Sequence, residues 1–199
     1  LLSQHKEKGL LRERQVLQRQ HGMQRCYQQK YVSFFSSNDY LGLAQHSAVI
    51  KAFKQAVDDF GVGSGSSYLL GAYNRFHQEL ELALAEFLNF PKVLVFSTGY
   101  MANLGLLGGL LQRGTALFAD KLSHASLLDG AKLSDALLKR YKHNNLASLK
   151  KHLTQSSAPY KFIMTDGVFS MDGDIAPLPA LIEIAQHFSS LLLVDDAHG

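Results

Sequence analysis

The sequence YKFIMTDGVFSMDGDIAPLPALIEIAQHFSSLLLVDDAHG, residues 160–199, carries the clearest structural signal in the chain. Phe162–Thr165 and Leu191–Val194 are short, mostly apolar runs of the kind found in strands buried on both faces of a sheet. Leu178–Phe188 has apolar residues at helical spacing and is predicted as a helix. Two buried strands joined by a helix indicate a parallel βαβ unit.

The same alternation of apolar runs and helical segments extends back to about residue 92. The earlier predicted strands are Val93–Ser97, Ala116–Ala119 and Ala136–Tyr141. The predicted helices between them are Tyr100–Gln112, His124–Leu133 and Asn145–Thr154. Strands that alternate with helices build sheets covered on both faces. We therefore predict an α/β fold, a three-layer and mostly parallel sheet with helices on either side.

The first part of the chain follows a different pattern. We predict an amphipathic helix over Leu2–Arg19, a short strand over Tyr31–Phe35, and helices over Ser47–Phe60 and Arg75–Asn89. On this basis residues 1–45 form an N-terminal helix-and-strand segment, and residues 46–199 begin a larger α/β domain.

Composition excludes several classes of protein. The chain has 199 residues, 46% of them hydrophobic, and a formal net charge of +3. A chain of this size and apolar content can bury a core, which argues against disorder. The charge is too small and too evenly spread to indicate binding to nucleic acid or to a membrane surface. The single cysteine, Cys26, allows no internal disulfide, so a cytoplasmic location is expected.

Residues suited to chemistry follow three of the predicted strands, where parallel sheets place their sites. Thr98 and Gly99 stand at a helix start, where free backbone N–H groups suit a phosphate. His124 follows the next strand, and Asp195, Asp196 and His198 follow the last one. A carboxylate at the end of a buried strand requires a cation or a proton donor nearby. An ordinary turn, a helix cap or a structural histidine remains the alternative at each position.

Four familiar motifs do not fit. Gly61–Ser67 is rich in glycine and serine, but no lysine lies between Lys54 and Lys92, so it is not a P-loop. The same segment follows a helix and lacks the last glycine of a dinucleotide-binding fingerprint. Asp166–Asp174 lacks the spaced glutamate of a calcium loop, and its serine lacks the flanking glycines of a hydrolase nucleophile elbow.

Five ordered blocks cover essentially the whole chain, and they resemble the α-oxoamine synthases, pyridoxal-phosphate enzymes of the aspartate-aminotransferase fold type. The blocks are Ser36–Leu43 (SSNDYLGL), Gly63–Gly65 (GSG), Leu122–Ser126 (LSHAS), Gly167–Asp174 (GVFSMDGD) and Val194–Gly199 (VDDAHG). The resemblance implies the large domain of such a transferase, with pyridoxal 5'-phosphate as cofactor and no metal.

The resemblance also implies roles for individual residues. The expected catalytic residues are His124, which would stack on the pyridine ring, Asp195, which would pair with the ring nitrogen, and His198. Ser170 and His198 would bond to the region of the phenolic oxygen. Asp195 would thereby meet the positive charge that a buried carboxylate requires.

The remaining implied contacts concern the phosphate and the substrate. Thr98, Gly99 and Tyr100 would hold the cofactor phosphate at the start of a helix. Arg12 would bind a substrate carboxylate, with Arg14 as the alternative, because a guanidinium pairs well with a carboxylate. His124 is expected to contact substrate as well as cofactor.

The ending Asp195–Gly199 favours the family member that condenses L-alanine with a pimeloyl thioester in biotin biosynthesis. That reaction releases CO2 and gives 8-amino-7-oxononanoate. The acyl carrier would be coenzyme A or an acyl carrier protein, and the enzyme a cytoplasmic homodimer. The alternatives are glycine C-acetyltransferase or another member of the family, or a catalytically silent partner subunit.

In this family the Schiff-base lysine lies a few tens of residues beyond the Asp-x-x-His strand. No lysine follows Asp195 in this sequence. A sheet that stopped here would also expose a long apolar edge. We therefore expect the sequence to be part of a longer chain, with the lysine and a small C-terminal domain outside it.

Overall fold

The computed structural model describes residues 2–12, 14, 16, 20–21 and 24–199. The chain forms two compact units, residues 1–67 and residues 68–199. The domain boundary that the sequence suggested after residue 45 stays a prediction.

The first unit begins with a helix that is much shorter than the sequence suggested. Helix α1 covers Leu2–Glu7, so the predicted helix over Leu2–Arg19 is wrong where the chain is described. Residues 13, 15 and 17–19 of that prediction lie outside the described residues. The cause is Gly9, whose φ of +64° is left-handed. Its N–H bonds to Lys6 O at 3.0 Å and the Leu10 N–H to His5 O at 2.8 Å, the pair of bonds that closes a helix end.

A small antiparallel sheet follows, built from β1 (Gln20–His21), β2 (Gln24–Tyr27) and β3 (Lys30–Ser33). Strand β3 overlaps the strand predicted over Tyr31–Phe35, but it begins one residue earlier and ends two residues earlier. The turn between β2 and β3 is Gln28-Gln29, with φ of +47° and +64°. Positive φ at both central residues matches the twist of a two-residue hairpin, although glycine or asparagine usually occupies such positions.

Helix α2 covers Ser47–Phe60, where the sequence predicted a helix, but the residue at its N-cap is His46 and not the expected Ser47. It ends at Gly61, which has a φ of +78° and donates its N–H to Val57 O at 2.8 Å. A residue with a side chain would be strained in this conformation, so the glycine marks the end of the helix.

The second unit contains the α/β fold. Its helices and strands are α3 (Arg75–Leu88), α4 (Gly99–Leu110), β4 (Thr115–Asp120), α5 (Ala125–Leu133), β5 (Leu137–Tyr141), α6 (Leu146–Thr154), β6 (Tyr160–Asp166), α7 (Leu178–His187) and β7 (Leu191–Asp195). Each lies within a few residues of its predicted position. Asn74 caps α3, because its side-chain oxygen accepts the N–H groups of Phe76 and His77.

The four strands of this unit form one parallel sheet in the order β5-β4-β6-β7. The register pairs Asp120 with Tyr141 and Asp166 with Asp195, so all four residues lie at the carboxyl edge. The predicted strand over Val93–Ser97 is wrong. Among the described residues it pairs with none of the four strands, and Leu94 and Phe96 are exposed.

Two apolar clusters cover the two faces of this sheet. The first packs α6 and α7 against one face, and its most buried members include Phe118, Leu149, Ile163 and Leu181. The second packs α4 and α5 against the other face, with Leu107, Leu117, Leu127 and Met164. Neighbouring residues of β4 and β6 fall into opposite clusters, as alternation along a strand requires. The predicted three-layer α/β fold is confirmed.

Candidate functional site

A cleft lies at the carboxyl edge of the parallel sheet, within the second unit. We call it the carboxyl-edge cleft. Its lining residues come from α4, from the start of α5, and from the ends of β6 and β7: Gly99, Tyr100, Asn103, His124, Ser126, Asp166, Val168, Asp195, Ala197 and His198. Of the predicted site residues, the cleft brings together Gly99, Tyr100, His124, Asp195 and His198.

The start of α4 lies on one side of the cleft. Thr98 is the residue before the helix, and its Oγ1 accepts the N–H of Met101 at 3.1 Å. The hydroxyl therefore caps the helix, and the first backbone N–H groups, at Gly99 and Tyr100, have no partner within the helix. The Tyr100 hydroxyl donates to Asp129 Oδ2 at 2.8 Å, and this bond raises the pKa of Tyr100.

Asp195 closes β7 with its carboxylate half-buried in the cleft. Asn103 Nδ2 donates to its Oδ2 at 2.7 Å, and the backbone N–H of Ala197 donates to its Oδ1 at 3.1 Å. Both donors are neutral, so neither cancels the charge. Asp196 is exposed and does not line the cleft. Of the two carboxylates that follow the last predicted strand, Asp195 lines the cleft and Asp196 does not.

His124 stands immediately before α5, and its side chain caps that helix. The ring Nδ1 lies 2.7 Å from Ser126 Oγ and 3.3 Å from the backbone nitrogen of Ser126. The backbone N–H of His124 donates to Asp166 Oδ1 at 3.2 Å, which connects the start of α5 to the end of β6. The residue is therefore held at both its backbone and its ring.

Asp166 is a buried carboxyl group, 4% exposed, at the end of β6. Burial raises the pKa of Asp166 to about 6, with the nearby charges of Asp195 and Asp120 adding to the effect and the His124 hydrogen bond opposing it. The Asp166 carboxyl group therefore changes charge near pH 6, beside His124 and Asp195, which are expected to take part in the chemistry.

The loop after β6 carries Ser170. The loop is closed by backbone bonds from Phe169 N to Asp174 O and from Ala176 N to Gly167 O, each 3.0 Å long. Ser170 is exposed, and Val168 rather than Ser170 lines the cleft. The assignment of Ser170 to a cofactor contact stays a prediction.

A second polar cluster, which was not predicted from the sequence, connects this loop to the sheet. His143 Nδ1 lies 2.9 Å from the fully buried Asp120 carboxylate, and its Nε2 lies 2.7 Å from Asp174. Burial disfavours protonation of His143, but the two carboxylates outweigh it and raise its pKa. Asn144 donates to both carboxylates, its N–H to Asp120 and its Nδ2 to Asp174.

Arg12 and Arg14 belong to the first unit, where both are exposed. Their predicted contact with substrate stays a prediction. Asn103 and Ser126 also line the cleft, although neither was predicted as a site residue. Asn103 lies one helical turn after Gly99, so its spacing from the predicted phosphate-binding residues was the signal that could have identified it.

None of the helices in the described ranges combines the length and the apolar character needed to cross a bilayer.

Comparison with known proteins gives a consistent result. The chain is 50% identical over 194 residues to the 8-amino-7-oxononanoate synthase of Methylobacillus flagellatus, and the match covers 96% of this chain and 48% of that protein. It is 54% identical over 165 residues to the enzyme of the same name from Saccharophagus degradans, covering 83% and 42%. The chain thus spans about half the length of the curated relatives it matches.

Solved structures agree. The serine palmitoyltransferase of Sphingomonas wittichii superposes with a TM-score of 0.91 at 34% identity, covering 97% of this chain and 50% of that one. The 8-amino-7-oxononanoate synthase of Francisella tularensis gives a TM-score of 0.66 at 36% identity, covering 80% and 43%. Another similar structure is described as SPT with PLP, with a TM-score of 0.90 at 32% identity over 97% of this chain and 50% of that one.

A family model described as aminotransferase class I and II matches residues 32–199, most of the chain and all of the second unit. The match includes every residue of the carboxyl-edge cleft. Together with the parallel sheet and the similar structures, it shows that the chain belongs to the aminotransferase class I and II family.

Proposed function

We propose that the full-length protein is a pyridoxal-phosphate-dependent C-acyltransferase of the 8-amino-7-oxononanoate synthase type. It condenses L-alanine with a pimeloyl thioester, and the products are 8-amino-7-oxononanoate, CO2 and the free thiol of the carrier. The sequence identity of about 50% to proteins of that name supports this choice of substrates. The Asp195 carboxylate in the carboxyl-edge cleft is the observation that carries the proposal.

The residues of the cleft fit the cofactor. Asp195 is half-buried and bonded by two neutral donors, so a protonated ring nitrogen would supply the positive charge that it lacks. The free N–H groups of Gly99 and Tyr100, beside Thr98, would bind the phosphate at the start of α4. When bound, pyridoxal phosphate supplies an electron-withdrawing ring that stabilises a carbanion at the amino-acid Cα.

The chain's own residues have separate tasks in this reaction. Asp195 would keep the proton on the ring nitrogen, and His124 would cover one face of the ring. His198, with Ser170, would bond to the phenolic oxygen. Arg12 would bind a substrate carboxylate, with Arg14 as the alternative. These roles follow from the family resemblance and are part of the proposal.

The test uses purified full-length protein with added pyridoxal phosphate. With L-alanine and pimeloyl-coenzyme A or a pimeloyl-acyl carrier protein, we expect CO2 release and a product with the mass of 8-amino-7-oxononanoate. Parallel assays replace alanine with glycine or serine, and the acyl donor with acetyl-coenzyme A. A preference for glycine and acetyl-coenzyme A would assign the protein to a different acyltransferase activity. A full-length chain that has the fold but lacks the Schiff-base lysine, and shows no turnover with any of these substrates, would indicate a silent partner subunit.

Two variants test the role of Asp195. Asp195→Asn removes the charge that holds the ring proton, so turnover should fall by about a hundredfold or more while some cofactor binding remains. Asp196→Asn removes the same charge one residue away, outside the cleft, and should leave turnover within a few-fold. Equal turnover in the two variants would contradict the assigned role.

Two further features of the proposal come from the resemblance alone. We propose a homodimer and a cytoplasmic location, and both remain predictions.

A further inference from the structure

Asn103 connects the two residues on which the proposed chemistry depends. Its Nδ2 lies 2.7 Å from Asp195 Oδ2 and 2.9 Å from Ser126 Oγ. Ser126 Oγ lies 2.7 Å from His124 Nδ1. A continuous chain of hydrogen bonds therefore runs from Asp195 through Asn103 and Ser126 to His124, across α4, α5 and β7.

The direction of every bond in this chain follows from chemistry. An ionised carboxylate only accepts, so the Asn103 group facing Asp195 must be its NH2. The same NH2 has a second hydrogen, which points to Ser126 Oγ. The Ser126 hydroxyl accepts that hydrogen and keeps its own proton to donate onward.

The onward acceptor is His124 Nδ1. The backbone N–H of Ser126 also faces Nδ1, at 3.3 Å, and a backbone N–H can only donate. A proton on Nδ1 would therefore meet a second hydrogen donor. Nδ1 must be the unprotonated nitrogen, so the neutral ring carries its single proton on Nε2.

We propose that Asn103 and Ser126 are positioning residues that hold the Asp195 carboxylate in place and fix His124 as the neutral Nε2–H tautomer. His124 then offers a hydrogen-bond donor, and not an acceptor, to the occupant of the carboxyl-edge cleft. The tautomer follows from the hydrogen bonds alone. The consequence for cofactor binding rests on the proposed function.

Burial protects the hydrogen bonds of this network from water. Ser126 is 1% exposed and Asn103 is half-buried, so water cannot easily replace either partner. Ser126→Ala removes only the hydroxyl group, and with it the link between Asn103 and His124. Asn103→Leu removes both of the bonds from the amide. Ser126→Thr keeps the hydroxyl and is the conservative variant for rescue.

The first measurement is the tautomer of His124 by nitrogen NMR of ring-labelled full-length protein without cofactor, with a His124→Gln sample to assign the signal. In the unmodified protein, we expect an unprotonated Nδ1 and a protonated Nε2. Ser126→Ala keeps the backbone N–H that faces Nδ1 but loses the hydroxyl donor, so the fraction of the Nδ1–H form should rise above that in the unmodified protein. Ser126→Thr should restore the single form. A protonated Nδ1 in the neutral ring of the unmodified protein would overturn the proposal.

The second measurement is the dissociation constant of pyridoxal phosphate, from absorbance or fluorescence titration. Asn103→Leu removes a hydrogen bond to a charged group and should weaken binding about tenfold or more, whereas Ser126→Ala should have a smaller effect. Melting temperatures show whether each variant is folded. If Asn103→Leu does not fold, the comparison of Ser126→Ala with Ser126→Thr remains decisive for the tautomer.

The two measurements separate this proposal from the proposed function. If the unmodified protein binds no pyridoxal phosphate but shows the Nε2–H tautomer, the proposed function fails and the assignment of the tautomer stands. If it binds the cofactor and Asn103→Leu binds it equally well, Asn103 does not position Asp195.

Discussion

Individual side chains at the carboxyl edge of the sheet are held by partners from other strands and helices. Asp166 accepts the His124 N–H, and Asp195 accepts the Asn103 amide. Asp120, which is fully buried, accepts from Leu122 and Asn144 and contacts His143. These carboxylates end three neighbouring strands. Burial is the largest cause of the high pKa of Asp166, and the charges of Asp195 and Asp120 add to it.

The raised pKa of Asp166 predicts a pH-dependent stability. The group has a pKa of about 6 in the folded protein and about 4 when unfolded, so the folded state binds the proton more tightly. The resulting stabilisation is complete below pH 4 and is lost as the pH rises through 6. Asp166→Asn keeps an acceptor for His124 without the charge. It should therefore gain about 1–2 kcal/mol over the unmodified protein at pH 8, and about half as much at pH 5.

The measurement is the free energy of unfolding of the full-length protein at the two pH values. Asp135→Asn, which replaces an exposed carboxylate, is the control for the loss of one negative charge. A gain for Asp166→Asn that is the same at pH 5 and pH 8 would contradict the prediction.

Helices α4 and α5 pack closely against each other in the second unit. Gly130 of α5 faces Leu107 of α4, and a Cβ added at Gly130 would lie 2.8 Å from Leu107 Cδ1 and 3.2 Å from Asn103 O. Leu107 is completely buried, so it cannot easily move away. The absence of a side chain at Gly130 lets α5 approach the helix that carries Asn103.

We expect Gly130→Ala to destabilise the protein by about 1–3 kcal/mol, because the added methyl group overpacks this contact. Gly108→Ala is the matched control. Gly108 lies in α4, it is exposed, and an added Cβ would have no atom within 4 Å. That substitution should be neutral, or stabilising by up to about 1 kcal/mol.

Urea denaturation of the two variants beside the unmodified protein measures both effects. Equal stability of Gly130→Ala and Gly108→Ala would show that the α4–α5 contact is looser than described.

At the scale of the whole second unit, the sheet separates two apolar clusters that share no residue. Ile163 belongs to the cluster under α6 and α7, and Leu127 to the cluster under α4 and α5. Both side chains are at most 2% exposed. Because they have no common partner in the two clusters, their contributions to stability should be independent.

We predict that Ile163→Val costs about 0.5–1.5 kcal/mol and Leu127→Ala about 2–5 kcal/mol. The double variant should lose the sum of the two within about 0.5 kcal/mol. Free energies of unfolding for the three variants test this in one double-mutant cycle. A coupling energy above about 1 kcal/mol would mean that the sheet transmits packing changes from one face to the other.

The sequence predicted the features that depend on local pattern. Helix α2 lies where the apolar period predicted it, and the strands β4, β6 and β7 are close to their predicted positions. β4 and most of β6 are buried as expected, whereas β7, at the edge of the four-stranded sheet, is partly exposed. The gathering of His124, Asp195 and His198 in one cleft also followed, since the ends of parallel strands must meet at the same edge.

Local pattern was misleading where conformation depended on a single turn or on a distant partner. Gly9 ends α1 within a run of residues that favour a helix, and Gln28-Gln29 forms a hairpin turn without the usual residues. Val93–Ser97 is as apolar as a buried strand, but a strand also needs a neighbouring strand to form hydrogen bonds with. The residues of the segment itself do not show whether such a neighbour exists.

The amino-acid order alone established the class of fold and the strand ends that form the site, because both follow from the spacing of apolar residues along the chain. Tertiary packing placed Asp195 and not Asp196 in the cleft, joined His143 to Asp120 and Asp174, and brought Asn103 to within 2.7 Å of Asp195 across 92 positions. The reason is geometric. A hydrogen bond needs two groups within about 3 Å at a favourable angle, and that condition is met only when separate helices and strands pack together.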